Sequence, residues 1–354
     1  MTFVPESCEL LAFGEPTHLE PAFGHRRNEM LAELAGRGFR GIALESDRVA
    51  ALAVDDYVRD GIGDLDTVLR DGFSHGWGAL APNRELVIWM REYNASRPVR
   101  ERLVLHGFDA PTENMSAPSP RGYLEYTCGV LGLDHDIAAL AGDDERWSHT
   151  EAVLDPARSP GATPDAAELR RLADELWTEL HMRATATEAW RRARIHLRAA
   201  IGLLRYHRAC AVTGLEQSVR VSRLMAVRDV LIAENILDLR DTPILLYGHN
   251  LHLRRTPSRW QLGELDLSWS GAGTIVAPLL GAKYSVIAGS LGRSVAIGLG
   301  EPEPDTYEAQ LAPGCTATAD VPAARTRTDT EPRQGYFPLD ADTIAGVDQV
   351  LHIP

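Results

Sequence analysis

Cysteine is scarce in this chain of 354 residues. The four cysteines are scattered and include no C-x-x-C pair, which excludes a zinc knuckle, a redox dithiol and a small disulfide scaffold. The chain also lacks an apolar run of about 18 residues, the length that a transmembrane helix needs. Its N-terminus has no basic region followed by an apolar one, so no signal peptide is predicted. We therefore expect a cytoplasmic protein without a membrane partner.

Positively charged residues are fewer than negatively charged ones in this chain. The chain has 36 lysines and arginines against 50 aspartates and glutamates, a formal net charge of −14 that argues against a nucleic-acid partner. Neither a Walker loop nor a dinucleotide-binding fingerprint occurs, so nucleotide chemistry is not expected. The hydrophobic fraction of 44% is that of an ordinary globular protein.

Short apolar runs alternate with helix-like stretches in the first third of the chain. The runs cover residues 10–13, 41–44 and 103–105, and the apolar periodicity between them predicts helices at 22–37, 49–59 and 84–94. Strands of this length alternating with helices indicate a mainly parallel sheet flanked by helices, which is the α/β class.

The pattern changes in the middle of the chain. Helical periodicity dominates residues 119–211, which we interpret as a helical insertion that caps a cleft. The α/β core would then comprise residues 1–118 and 212–354. The basic stretch at 191–194 of the insertion is predicted to be a solvated helix face.

The α/β pattern returns after the insertion. A helix is predicted at 219–239, with its Arg228-Asp229 pair in solvent, and then an apolar strand at 244–247. Beyond them we expect a helix at 274–280 and strands at 284–288, 294–299 and 350–353.

Ionisable residues follow three of the predicted strands. Glu15 and His18 follow the first, Glu45 the second, and His249 and His252 the strand at 244–247. The carboxyl ends of parallel strands lie at one edge of a sheet, where ligands bind in open α/β folds. A histidine oriented by a carboxylate is a suitable general base near neutral pH. These residues therefore predict a catalytic cleft.

Two other chemistries fit parts of the same sequence. His249 and His252, with His18 and a carboxylate, are possible ligands of a divalent metal such as zinc, although no H-E-x-x-H motif accompanies them. Ser74 lies in a literal G-x-S-x-G at 72–76, but neither a strand before it nor a helix start after it is predicted. Ser290 follows a strand but lacks the first glycine of that motif. We expect no cofactor and keep the metal and the serine nucleophile as alternatives.

These motifs, in this order, resemble those of the erythromycin esterase family. The similar stretches are Gly14-Glu15-Pro16-Thr17-His18, Arg26-Arg27-Asn28, Gly38-Phe39, Ala43-Leu44-Glu45-Ser46-Asp47, Trp89-Met90-Arg91-Glu92-Tyr93-Asn94, His106-Gly107-Phe108-Asp109, Arg228-Asp229, Ala233-Glu234-Asn235 and Gly248-His249-Asn250-Leu251-His252. The resemblance implies a hydrolase that opens a carboxylic ester or macrolactone with an activated water and without an acyl-enzyme.

The resemblance also implies a role for each matched residue. His18 would be the general base and Glu15 its carboxylate, while the other essential polar residues would be Arg27, Glu45, His249 and His252. Arg27 is preferred to Arg26 because of its distance along the chain from His18.

The chain departs from the macrolide-opening members in two respects. Pro16 and Leu19 stand where those members commonly have small residues, and the chain is shorter. The expected partner is therefore a small-molecule ester or lactone, with antibiotic inactivation or natural-product tailoring as its context. A non-catalytic protein that binds a natural product is the alternative.

Overall fold

The computed structural model describes residues 4–240 and 242–354. Residues 1–3, which belong to the N-terminal segment analysed above for a signal peptide, lie outside the described residues. Its centre is a seven-stranded sheet with the order β3-β2-β4-β1-β7-β9-β8, in which only β8 runs antiparallel to its neighbour. The strands of this sheet are β1 (Leu10–Glu15), β2 (Gly41–Asp47), β3 (Val104–Asp109), β4 (Ile244–His249), β7 (Tyr284–Leu291), β8 (Gly314–Ala317) and β9 (Gln349–Ile353). The α/β class and the mainly parallel sheet predicted from the sequence are confirmed.

Helices pack on both faces of the sheet. Those before the insertion are α1 (Pro21–Ala35), α2 (Ala51–Asp60), α3 (Leu65–Asp71) and α4 (Ala81–Ala95). Those after it are α11 (Gln217–Leu237), α12 (Asn250–Leu253), α13 (Ala272–Leu280), α14 (Tyr307–Gln310) and α15 (Ala341–Ala345). Because both faces are covered, the central strands β1 and β4 are buried along their whole length, which explains why they consist of continuous apolar runs.

Several strand elements differ from the prediction, among them β8, which was not predicted. Residues 294–299 form a turn closed by an isolated bridge between Ser294 and Leu299, because the chain leaves the sheet after β7. The antiparallel hairpin β5 (Ser258–Leu262) and β6 (Leu265–Trp269) was not predicted. Its strands are largely exposed, so they lack the apolar run by which the buried strands were found.

The middle of the chain is helical, with its own apolar core. It contains α5 (Arg121–Leu131), α6 (Ile137–Ala141), α7 (Glu145–Ser148), α8 (Thr150–Leu154), α9 (Pro164–Met182) and α10 (Glu188–Cys210). Leu169, Leu176 and Leu197 are among the buried residues that α9 and α10 contribute to this core.

The basic stretch of α10 is not a solvated face, contrary to the prediction. Arg192 forms an ion pair with Asp56 of α2, and Arg194 donates to Asp238 with an Nη1–Oδ1 distance of 2.5 Å. Arginines of this stretch therefore attach the helical region to the core, a role that depends on partners far away in the sequence. In the part of the chain that the structure describes, no helix is both long and apolar enough to cross a membrane.

Candidate active site

The predicted residues meet at the carboxyl edge of the sheet. Strand β4 lies between β1 and β2, so the ends of the three strands are neighbours and Glu15 pairs in register with His249. His18 lies in the loop between β1 and α1, and its ring centroid is 5.3 Å from that of His249. The structure thus brings together residues separated by more than 200 positions in the sequence.

His18 is held between two carboxylates. Its Nδ1 donates to Glu15 Oε1 at 2.7 Å, and its Nε2 lies 3.9 Å from Glu45 Oε1, beyond direct hydrogen-bond distance. Burial lowers the pKa of His18, but the charge of Glu45 and the hydrogen bond to Glu15 outweigh burial and leave the pKa raised. The neutral ring therefore carries its proton on Nδ1 and presents the lone pair of Nε2.

Glu45 is the centre of a buried charge cluster. Its Oε2 accepts from the backbone N–H of His249 at 2.6 Å, and its Oε1 accepts from Arg228 Nη2 at 3.1 Å and lies 3.4 Å from His252 Nε2. Burial raises the pKa of Glu45, but the charges of His252, His18 and Arg228 outweigh it and hold the pKa well below its usual range. Glu45 is therefore a permanent anion in this pocket.

Gly248 makes the position of Glu45 possible. A Cβ atom at residue 248 would lie 2.8 Å from Glu45 Oε2 and 2.8 Å from the ring of Phe108, so any other residue would displace the carboxylate. The glycine before His249 therefore lets Glu45 approach the β4 backbone.

His252 is oriented by Asp229, a residue of α11 that was predicted to be exposed to solvent. His252 Nδ1 donates to Asp229 Oδ1 at 2.7 Å, and the same carboxylate accepts from Trp269 Nε1 at 2.6 Å and from the Ala272 N–H at 2.9 Å. Burial lowers the pKa of His252, but Asp229 and Glu45 outweigh it and leave the pKa raised. The protonated form of His252 is thus favoured beside Glu45.

Arg228 was also predicted to lie in solvent, and the structure corrects this as well. Its guanidinium binds Asp109 at the end of β3, with Nη2 to Oδ2 at 2.5 Å and Nε to Oδ1 at 3.1 Å, while Nη2 also reaches Glu45. Asp109 is completely buried. The position of Asp109 at the end of a predicted strand could have identified it as a site residue from the sequence. No local feature of the sequence distinguishes a buried Arg228-Asp229 pair from an exposed one.

His249 differs from the other two histidines because its pKa is lowered. Burial and the neighbouring charge of His18 hold the pKa of His249 well below its usual value, so its ring is neutral. Its Nδ1 accepts from the Leu251 N–H at 3.2 Å, and its buried Nε2 has no hydrogen-bond partner among the described residues. The proton of the neutral ring is therefore on Nε2, which makes this atom an available hydrogen-bond donor.

Arg27 lies behind His18 and is 1% exposed. Its guanidinium donates only to neutral oxygens, at 2.7 Å to Asn83 Oδ1, at 3.1 Å to the Pro82 carbonyl and at 2.8 Å to Asn28 Oδ1. It also stacks on the ring of Tyr247, with Cζ 4.8 Å from the ring centroid. Arg26, by contrast, pairs with carboxylates on the outer face of α1, so the structure places Arg27 rather than Arg26 beside the cluster.

A cavity of about 90 Å³ opens beside these residues. Its lining includes His18, Arg27, Phe73, Trp77 and Tyr247, and the ring of Trp77 packs against His18 with a centroid distance of 4.4 Å. Its lining contains no described residue of the region 119–211. The helical region instead lines two other clefts beside Asp47 and Asp109, whereas Trp77 lines the cavity and packs against His18.

Ser74 is not in a nucleophile elbow. It begins a short 3₁₀ segment, Ser74–Ala79, after helix α3, and its Oγ accepts from the Asp47 N–H at 2.7 Å. The strained residue of the turn is His75, with φ of 56°, rather than the serine, and His75 pairs with Glu113. Ser74 therefore has no histidine hydrogen-bonded to it as a base.

Ser290 does have a histidine neighbour. Its Oγ lies 2.9 Å from His352 Nδ1, but the serine belongs to β7, where it is in register with His352 of β9, and it is completely buried. A substrate carbonyl cannot reach an oxygen in this position without opening the sheet. As for a metal centre, no group of three or more His, Cys, Asp or Glu residues in the described ranges is arranged to hold a metal ion.

The chain belongs to the erythromycin esterase family, because the model of that family matches residues 34–351. This match includes Glu45, His249 and His252 and begins after Glu15, His18 and Arg27. Family membership indicates an esterase-type hydrolase. No curated protein matches the chain.

Three solved structures share the fold. A protein from Bacillus cereus has 15% identity and a TM-score of 0.70, covering 98% of this chain and 88% of that chain. A mutant of the erythromycin esterase EreC in its open conformation has 19% identity and a TM-score of 0.69, covering 99% and 91%. A succinoglycan biosynthesis protein has 13% identity and a TM-score of 0.67, covering 98% and 88%.

Proposed function

We propose that this protein hydrolyses a carboxylic ester or lactone by general-base activation of water, with His18 as the base. The observation that carries the proposal is the Glu15–His18 pair at the cavity, with the lone pair of His18 Nε2 free. Glu15 holds the tautomer in which Nε2 accepts a proton, and it stabilises the imidazolium that forms.

The reaction then follows from the positions of the side chains. His18 Nε2 takes a proton from water, the hydroxide attacks the substrate carbonyl carbon, and the C–O bond breaks. The departing alkoxide recovers the proton from His18. General-base catalysis typically contributes about 10²- to 10⁴-fold in rate.

Two groups are suited to the negative charge that develops on the carbonyl oxygen. Arg27 lines the cavity with no carboxylate partner among the described residues, and the neutral ring of His249 carries an N–H at Nε2. A donor aimed at a developing oxyanion contributes about 10²- to 10³-fold. Together with the base, these donors supply a catalytic apparatus that needs neither an acyl-enzyme nor a metal ion.

The substrate class follows from the family. A macrolide or another lactone is the first candidate, since one structural relative is an erythromycin esterase. Inactivation of an antibiotic and tailoring of a natural product both consist of this reaction. Leu19 is about half exposed and lines the cavity, so its size affects which ring can enter.

The test is a hydrolysis screen by mass spectrometry over macrolides, smaller lactones and simple esters, in which a product gains the mass of one water. His18→Ala should lower kcat by at least about 10²-fold with much less change in KM. His25→Ala is the matched control, because His25 lies on the outer side of α1 and pairs there with Glu85.

Two outcomes would contradict the proposal. Binding of a natural product without turnover would show a binding protein. Retention of activity in His18→Ala, together with a covalent acyl adduct on Ser74, would show a serine esterase.

A further inference from the structure

Tyr247 is connected to His18 through the carboxylate of Glu15. Its hydroxyl donates to Glu15 Oε2, and the other oxygen of the same carboxylate, Oε1, accepts from His18 Nδ1 at 2.7 Å. The two bonds occupy opposite oxygens of one buried carboxylate. Glu15 is therefore shared between a neutral donor and the ring proposed as the base.

The fold buries the ring of Tyr247 in the core and directs its hydroxyl at Glu15. Tyr247 is the register partner of Phe13 on β1, and both side chains belong to the core under α1. The guanidinium of Arg27 lies over the ring of Tyr247. The aromatic body is thus fixed by packing and by a cation–π contact, and the hydroxyl is directed at Glu15 by a rigid strand rather than by a loop.

We propose that Tyr247 is a positioning residue of this site: its hydroxyl fixes the Glu15 carboxylate by a hydrogen bond and limits the pull of that carboxylate on the proton of His18. The proposal rests on the proposed function of His18 as general base. A hydrogen bond donated to a carboxylate favours its charged form, and it counts most when the imidazole opposite is neutral. Tyr247 therefore stabilises the state in which His18 is ready to accept a proton from water.

The hydroxyl remains a donor throughout the working pH range. Burial and the negative charge of Glu15 raise the pKa of Tyr247 well above its usual value. The other charged or titratable groups near the pair come from α1, β2, β4, α11 and α12, and they are Arg27, Glu45, His249, Arg228 and His252. None of them is changed when the tyrosine loses only its oxygen.

The test is Tyr247→Phe, which keeps the ring under Arg27 and removes the donor. Without it, Glu15 becomes more basic, and the macroscopic pKa of the Glu15–His18 pair should rise by about 0.5 to 1 unit. This pKa is followed by NMR titration of the His18 ring signals, assigned by their absence in His18→Ala. The acid limb of the pH–rate profile should move upward by the same amount.

Two further variants separate this role from simple packing. Tyr284→Phe is the matched control, because Tyr284 is also a buried tyrosine whose hydroxyl donates, at 2.5 Å, to the Leu253 carbonyl rather than to Glu15. It should leave the titration of His18 unchanged. In a Glu15→Gln background, Tyr247→Phe should cause no further shift, since its effect passes through that carboxylate.

The result that overturns the inference is an unchanged His18 titration in folded Tyr247→Phe, or an equal shift with and without Glu15. If Tyr247→Phe does not fold, Glu15→Gln alone still tests the link from Glu15 to His18. Without the Glu15 carboxylate, His18 should titrate at lower pH. The NMR titration needs no turnover. A wild-type protein that hydrolyses no ester would therefore refute the proposed function while leaving the Tyr247 inference to be judged by its own measurement.

Discussion

Arg228 neutralises two buried carboxylates, and its removal is the sharpest test of the charge cluster. The variant Arg228→Leu leaves Asp109 and Glu45 without the cation that lies 2.5 and 3.1 Å from their oxygens. Breaking a buried ion pair by removing one partner costs about 3–5 kcal/mol, because an uncompensated charge remains in a medium of low polarity. We expect a loss of this size in the free energy of unfolding at pH 7, measured by urea denaturation.

The dependence on pH follows from Glu45. Its pKa in the folded protein is lowered, so it contributes stability above its unfolded value of about 4.3, and this stability is lost as the pH falls through the folded value. Arg228→Leu raises the folded pKa of Glu45 and removes part of that contribution. The difference in stability between wild type and variant should therefore be largest near pH 7 and become smaller only as the pH falls below about 4.

A matched control is available on the surface. Arg205→Leu is the same substitution at a half-exposed arginine that pairs with Glu234 at 2.8 Å, and exposed ion pairs contribute about 0–1 kcal/mol. If Arg228→Leu were within about 1 kcal/mol of Arg205→Leu at pH 7, the account of a buried, mutually dependent cluster would be refuted.

Three further predictions concern catalysis. The pKa of His18 is raised above its ordinary value of 6.5 and only its neutral form accepts a proton, so kcat/KM should fall as the pH drops through a value above 6.5; a pH–rate profile with its acid limb below 6.5 would contradict this. Ser74→Ala should change kcat by no more than a few-fold in the same assay, since Ser74 Oγ is bound to the Asp47 N–H; a loss as large as that of His18→Ala would favour the serine mechanism. Dialysis against a chelator should leave the rate unchanged, whereas loss of activity and its recovery with stoichiometric metal would assign the three histidines to a metal.

Part of the site could be predicted from sequence because its signals are local. Leu10–Glu15 and Ile244–His249 are each an apolar run with a glycine before an ionisable residue. A strand that is buried on both faces requires such a continuous apolar run. Since parallel strands end at one edge, the convergence of Glu15, Glu45 and His249 followed without knowledge of the strand order. The resemblance to the erythromycin esterases added the choice of roles.

Other parts of the site have no local signal. Arg228 and Asp229 are consecutive charged residues on a helix, and whether such residues are solvated or buried depends on which face packs against the sheet. Their partners, Asp109 and His252, are 119 and 23 residues away. The same is true of Arg192 and Arg194, which pair with Asp56 and Asp238 outside their own helix. Charge burial is decided by distant partners, so the pattern of one helix does not contain it.

The sequence by itself determined which residues end the buried strands and therefore which edge of the sheet holds Glu15, His18, Glu45, His249 and His252. Only the tertiary structure decided that β4 lies between β1 and β2, that Trp77 rather than the helical region lines the cavity beside His18, and that Tyr247 reaches Glu15. The physical reason is that strand ends are specified by hydrophobicity and glycine over a few residues. Strand order, the wall of the cavity and the hydrogen bonds of a buried carboxylate depend instead on contacts between segments that are far apart in the chain.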